Sequence, residues 1–389
     1  MGRVRPRPAG PLDTRDRPGS DSDMVRSSRT RRASLAAAAA AMPLVLAYRF
    51  AQVYRVRAGY PRRHEPVWTP DDLALPHEDV AVPTSDGLAL PGWFMPAGPG
   101  PAPGVALIHG WESARDRTLP HALFLHAAGF HVLAIDVRGH GVNGPEALPI
   151  SVGEFAADAA AAVRWLAARP EVTNVGLFGH SIGAAGALVA AAREPLVRAV
   201  VAVSTPAGPY RLTRQTFRLA NLPIPAPIAW PLAGLTTRVY LRPRGHTVAS
   251  VSAARAVKAV DAPVLLVHGD DDHVVPVGHL ARLAAARRGA RPGAATQTLV
   301  VHEGDHSWLY EFPVFRATVA RFLATSLGGP PSPDAAARLA EALPTVRLPE
   351  PERLTALDEE PGGVRSLLRV FRRHAPAAAT DIPAEEAPS

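Results

Sequence analysis

Between about residues 75 and 327, short apolar runs alternate with helical stretches, and this alternation narrows the possible folds more than any other feature of the chain. The strand-like runs are Val105–His109, His131–Asp136, Asn174–Phe178, Ala199–Ser204, Val264–His268 and Thr298–His302. They are apolar at successive positions, as strands buried on both faces of a parallel sheet must be. Between them lie the helical stretches Leu119–Ala128, Val152–Ala168, Ile182–Arg193, His279–Arg288 and Pro313–Leu323. Strand and helix in strict turn predict an α/β fold, a mostly parallel sheet with helices on both faces. Ahead of it, Glu78–Val82 and Leu88–Met95 flank Thr84-Ser85-Asp86-Gly87, a turn sequence, and predict an N-terminal hairpin. Residues 206–261 are too long for a plain crossover, and Pro223, Pro225, Pro227 and Pro231 interrupt them. Their aromatics Tyr210, Phe217, Trp230 and Tyr240 suggest a lid inserted over a site.

The ends differ from this middle. Residues 1–32 are rich in Arg, Pro, Gly, Ser and Asp and are expected to be a disordered basic arm. An apolar stretch follows at 33–54, beginning ASLAAAAAAMPLVLA. Its apolar core falls short of the roughly 20 residues a spanning helix needs, but Tyr48, Phe50, Ala51 and Val53 extend it, with Arg49 able to snorkel. A signal anchor, a cleaved export signal and an Ala-rich soluble helix all fit. Thr30-Arg31-Arg32-Ala33-Ser34-Leu35 partly matches a twin-arginine export signal, with Ser34 in place of the usual Phe. Arginines are balanced on its two sides, so orientation is unreadable. Residues 328–389 turn to Pro, Ala and Glu and read as a mostly disordered tail. Its one exception is an amphipathic stretch at 364–374.

The basic excess sits in the arm. Residues 1–74 carry a net charge of +7, residues 75–327 only +3 and residues 328–389 −3. A nucleic-acid partner would need a basic face on the folded part, and none shows. Without cysteine there is no disulfide framework, thiol nucleophile or Cys-based metal site. Asp270–Asp272 lacks the glycine and distal glutamate of a calcium loop, so no metal and no cofactor is expected.

Chemistry concentrates at Gly179-His180-Ser181-Ile182-Gly183, which closes a strand-like run and opens a helical one. A serine on a sharp strand-to-helix turn is forced outward. Gly179 and Gly183 leave room for the strained backbone, and the helix N-terminus offers unpaired N–H groups beside the hydroxyl. A serine hydroxyl needs a base to attack at neutral pH. His306, in Gly304-Asp305-His306-Ser307 just past the last strand, lies on the edge where a parallel sheet presents its site. His302, His268, His140 and His109 are rivals, with His302 and His268 lying within or at the end of strand runs. Asp272 is the expected orienting acid because it precedes the apolar Val274-Val275-Pro276, and Asp270 is second. The N–H groups of Ile182 and Trp111 are the expected oxyanion donors.

Taken together, these residues resemble the α/β-hydrolase superfamily. Within it the chain looks like the serine aminopeptidase/monoacylglycerol-lipase-like group, and especially that group's N-terminally membrane-anchored bacterial members. The matching pieces are Thr84–Gly87 with Gly92-Trp93, His109-Gly110-Trp111, Asp136–Gly141, Gly179–Gly183, His268–Pro276 and Gly304–His306, in that order across residues 75–327. The resemblance implies an α/β-hydrolase fold with an inserted lid. It also implies hydrolysis of a small-molecule carboxylic ester, or less often an amide, through an acyl-enzyme. Peptidase or acyltransferase chemistry on the same triad is the alternative. A non-catalytic, membrane-tethered binding protein of this fold would usually lack a triad member, and none is missing here.

Overall fold

In a computed structural model of the chain, residues 21–347 are described, with side chains from residue 30. The amphipathic stretch at 364–374 and the end of the predicted tail lie outside them. Two units divide between Arg49 and Phe50. The first holds most of helix α1 (Asp21–Ala58). From Thr30 onward α1 is long and apolar enough to cross a membrane by length and composition. Its side chains from Thr30 to Leu46 are exposed, Leu35 and Leu44 at 70% and 72%. It begins inside the stretch predicted as a disordered arm and contains Pro43.

The second unit is a sheet of eight strands. They are β1 (Glu78–Pro83), β2 (Ala89–Met95), β3 (Ala102–Ile108), β4 (His131–Ile135), β5 (Val172–His180), β6 (Val197–Val203), β7 (Val264–Gly269) and β8 (Thr296–Val301), in the order β1-β2-β4-β3-β5-β6-β7-β8. β1 and β2 form the antiparallel hairpin, β2 joins β4 antiparallel, and all later pairings are parallel. Side chains alternate across the sheet as the two-residue period requires. Ala106 and Ile108 of β3, Leu177 of β5 and Leu266 of β7 enter one core with helices α3 (Val152–Ala167), α4 (Ile182–Ala191) and α8 (Gly278–Ala290). Val105, Leu107, Phe178 and Val267 enter the other, with α2 (Leu119–Ala127) and α9 (Pro313–Leu327). Burying both faces is what makes the central strands unbroken apolar runs. β8 departs from that expectation: it is an edge strand with most of its residues partly or fully exposed.

The predicted boundaries shift outward at both ends. Upstream of residue 75, Ala51 is fully buried, the Ile150 N–H donates to the Gly59 carbonyl at 2.8 Å, and the Val67 N–H donates to Asp116 at 2.9 Å. Downstream, the tail predicted as disordered opens with α10 (Pro333–Ala342). Ser332 accepts from Ala335 N–H, Pro333 takes a first-turn position where a missing N–H costs nothing, and Ala336, Ala337 and Ala340 are buried. The insertion is also regular: α5 (Pro209–Leu219), α6 (Ala226–Leu241) and the single turn α7 (Ala253–Ala256). The last residues of α1 brace it. Phe50 and Tyr54 meet Phe217 edge to face at 5.4 and 5.7 Å, and the Tyr54 hydroxyl is 2.8 Å from Thr216 Oγ1.

Candidate active site

β4 lies on one side of β3 and β5 on the other, so the strand order reverses between β3 and β5. In open α/β sheets the crevice outside the C-terminal strand ends at such a point is where ligands bind. β3 ends there at Ile108, leading into His109-Gly110-Trp111, and β5 ends at His180, leading into Ser181.

Ser181 has φ 54° and ψ −121°, a left-handed backbone that costs an L-residue energy and thrusts its side chain off the sheet edge. The surroundings hold it there. Its N–H donates to the Val203 carbonyl at 2.9 Å, and its carbonyl starts α4 by accepting from Ala184 and Ala185. A Cβ on Gly179 would come within 2.6 Å of the Ala184 backbone, and one on Gly183 would run into the His109 carbonyl. Both glycines are therefore required by close backbone approach.

His306 lies on the loop after β8. Its Nε2 is 3.0 Å from Ser181 Oγ and its Nδ1 is 2.8 Å from Asp272 Oδ2. Nδ1 beside a carboxylate carries the proton, which leaves Nε2 able to accept from the serine hydroxyl. Asp272, on the loop after β7, is 4% exposed. Burial opposes its charge. Hydrogen bonds from His268 and His306, and from the Val275 N–H at 2.7 Å, outweigh that and hold the carboxyl well below its usual range. Asp270, the second choice from sequence, instead accepts from His302 Nδ1 at 2.8 Å and from the Glu303 N–H, and Asp271 faces His273.

Three supporting groups take parts that the sequence did not give them: His180, read as part of the nucleophile turn, Ser204, which was not singled out, and His268, read as a rival base. The Nε2–H of His180 and the hydroxyl of Ser204 both donate to the His306 backbone carbonyl, at 2.8 and 3.1 Å. They fix the main chain from which the imidazole hangs. Burial, with the nearby His306, lowers the His180 pKa to about 4, so it remains a neutral donor. His268 is 1% exposed and shares its Nε2–H between Asp272 at 3.2 Å and the Val275 carbonyl at 2.6 Å. Periodicity marks it only as a strand residue.

The loop after β3 completes the crevice. A Cβ on Gly110 would lie 3.5 Å from Ser181 Cβ, so this backbone runs directly beside the hydroxyl. Ile182 is the first residue of α4, and its N–H has no intrahelical acceptor. The Trp111 ring packs at 5.3 Å from His140, which is buried with its Nδ1 on the Arg138 carbonyl. His109 is locked by the Gly110 carbonyl and the Val137 N–H. Neither rival histidine makes a hydrogen bond to Ser181. The Asp136–Gly141 segment is structural: buried Asp136 takes the Arg115 guanidinium at 2.8 Å, and Arg138 bridges Asp158 and Asp86 of the hairpin turn.

Comparison with known proteins agrees with this architecture. The model of the family described as serine aminopeptidase, S33 matches residues 100–242, which include Trp111, Ser181 and Ile182 but stop short of Asp272 and His306. The Pyrococcus furiosus esterase Pf2001 superposes with a TM-score of 0.54 at 25% identity, covering 69% of this chain and all of that one. The chain has the α/β-hydrolase fold. An uncharacterized Mycobacterium tuberculosis protein is 31% identical over 211 residues, 54% of this chain and 66% of its own length. The match thus spans just under two thirds of that relative. The bifunctional esterase/perhydrolase DCH of Acinetobacter calcoaceticus is 27% identical over 234 residues, 50% of this chain and 83% of the relative.

Proposed function

We propose that the chain is a serine hydrolase that cleaves carboxylic esters through an acyl-enzyme. The observation that carries this reading is the His306 ring bridging Ser181 Oγ at 3.0 Å and Asp272 Oδ2 at 2.8 Å. Ser181 Oγ attacks the acyl carbonyl carbon while His306 Nε2 takes the hydroxyl proton. Asp272 holds Nδ1–H and stabilises the imidazolium that forms. The negative charge on the former carbonyl oxygen is met by the N–H groups of Trp111 and Ile182. Collapse breaks the ester C–O bond, and Nε2 returns the proton to the departing alkoxide. A water molecule, deprotonated by the same Nε2, then attacks the acyl-enzyme and releases the acid and free Ser181. Gly179, His180 and Gly183 serve by geometry. The first and last admit the turn, and His180 anchors the base.

Amide cleavage on the same residues is the second reading, and the matched family's description as a serine aminopeptidase favours it. Apolar α1 supports attachment to a membrane, with an export signal as the alternative.

The test is turnover of p-nitrophenyl esters and aminoacyl p-nitroanilides by the full chain and its Ser181→Ala variant, with fluorophosphonate labelling in parallel. Loss of the nucleophile should lower kcat by up to about a millionfold and abolish labelling. Equal ester turnover by the two proteins would remove Ser181 from the reaction. A chain beginning at residue 58 is unsuitable, because it lacks Phe50, Ala51 and Tyr54, which brace the insertion.

A further inference from the structure

The insertion has a charge pattern unlike the rest of the body. Residues 206–260 carry eight basic side chains and no Asp or Glu, and residues 219–237 carry no charge at all. The uncharged segment is the connection from α5 into α6. It exposes Leu219, Ile228 and Trp230 at 47%, 55% and 40%. Arg211, Arg214 and Arg218 share one face of α5, opposite the buried Thr213 and Phe217. The Arg211 and Arg214 guanidiniums stand 5.2 and 4.2 Å from the centre of the Trp230 ring. None of the three makes an ion pair with a carboxylate among the described residues. Like charges one turn apart repel, and solvent-facing apolar side chains gain nothing from water. Both features are satisfied together by a surface with anionic headgroups above and hydrocarbon below.

We propose that the α5–α6 tip docks onto an anionic lipid bilayer. Leu219, Ile228 and Trp230 enter the interface, while Arg211, Arg214 and Arg218 hold lipid phosphates. A polyanion without an apolar layer would leave the exposed Leu219 and Ile228 unused. The α1 residues that pack on Phe217, Phe50 and Tyr54, lie in the last part of the helical stretch Thr30–Ala58 that is long and apolar enough to cross a membrane. The proposal does not rest on the chemistry assigned to Ser181.

The chain has no cysteine, so one introduced thiol takes one label. In the full chain, Ile228→Cys receives an environment-sensitive fluorophore. Val314→Cys on α9, 51% exposed in the parent residue, is the control. Both are mixed with phosphatidylcholine vesicles, with and without phosphatidylglycerol, carrying doxyl-labelled acyl chains. The label at 228 should blue-shift and be quenched on phosphatidylglycerol vesicles, more weakly on phosphatidylcholine alone, while the label at 314 is unchanged. Arg214→Gln and Arg218→Gln should each lower the ratio of docked to free tip about fivefold. Quenching at 228 no greater than at 314 would overturn the proposal. So would equal quenching on neutral vesicles that ignores both arginine changes. A label at 228 that responds to protein concentration and not to lipid would assign the tip to a second copy and equally overturn it. Loss of esterase activity in any of these proteins leaves the outcome unaffected.

Discussion

Asp270, Asp271 and Asp272 are chemically identical and consecutive, yet differently employed. Only Asp272 is buried, and it alone reaches His306; Asp270 serves His302 at the edge, and Asp271 faces His273 in solvent. The choice rested on the apolar Val274-Val275-Pro276 that follows; of these only Val275 is buried, brought in by a turn at Asp272. The Val275 N–H donating to Asp272 at 2.7 Å is that turn. The serine was legible because a strained φ of 54° needs small neighbours, and Gly179 and Gly183 are written in the chain. Ser204 and His180 were not, because each acts on a backbone carbonyl, and no side-chain pattern encodes a carbonyl's position. The proposed roles separate cleanly by mutation. Asp272→Asn keeps the shape but loses the charge and the tautomer preference, and should lower kcat on a p-nitrophenyl ester about 10⁴-fold. Asp270→Asn should change it by less than about threefold, since an exposed ion pair contributes roughly 0–1 kcal/mol. Comparable losses from the two would remove the distinction.

α6 was hidden because proline was read as a helix breaker. Pro225 is its N-cap, Pro227 lies in the first turn where no N–H is needed, and Pro231 is tolerated farther in. The signal was position, not composition. α10 was hidden in the same way, although Ser332-Pro333 is a helix start that sequence can show. The central strands and the five helices around them were readable because burial on both faces forces continuous apolarity. The insertion offers no such continuous apolar run, and one of its packing partners is the end of α1, far away in sequence. Phe217, 3% exposed between Phe50 and Tyr54, is the key to that contact. Phe217→Ala should destabilise the body by about 3–5 kcal/mol, read as a lowered urea midpoint. Tyr54→Phe removes only the hydroxyl bond to Thr216 and should cost about 1 kcal/mol. If Phe217→Ala costs no more than Tyr54→Phe, the end of α1 does not brace the insertion.

Across the whole molecule, burial of neutral histidines ties stability to pH. His109, His121 and His140 are at most 5% exposed, and burial lowers their pKa values to about 4, about 3 and about 3. Released in the unfolded chain, each returns to about 6.5. Below that pH the unfolded state binds protons that the folded state refuses, so stability falls as pH falls through the interval from about 6.5 to the folded values. His180 and His279 are likewise lowered to about 4 by burial, and each of the five contributes a slope approaching about 1.4 kcal/mol per pH unit, roughly 7 together. Asp272 and Asp86, both held below the ordinary carboxylate range by their partners, have their stabilisation in full above about 4 and lose it only at lower pH. Exposed His302 works in the opposite sense, because Asp270 raises its pKa and its contribution is lost as pH rises. Across the interval from about pH 6.5 to about pH 5 the histidine rings therefore act against stability, opposed by buried Asp116, Asp136 and Asp158, whose pKa values burial raises. Urea unfolding of the full chain in detergent, followed by tryptophan fluorescence, should show the midpoint dropping steadily across that interval. His121 sits among Phe124, Phe178, Tyr310 and Phe315 with its Nδ1 unpartnered among the described residues. Phenylalanine there removes the proton site while keeping an aromatic ring. His121→Phe should flatten the slope by about one fifth, whatever it does to stability at neutral pH. A midpoint flat down to about pH 5 in the parent chain would mean that these rings take up protons without unfolding it.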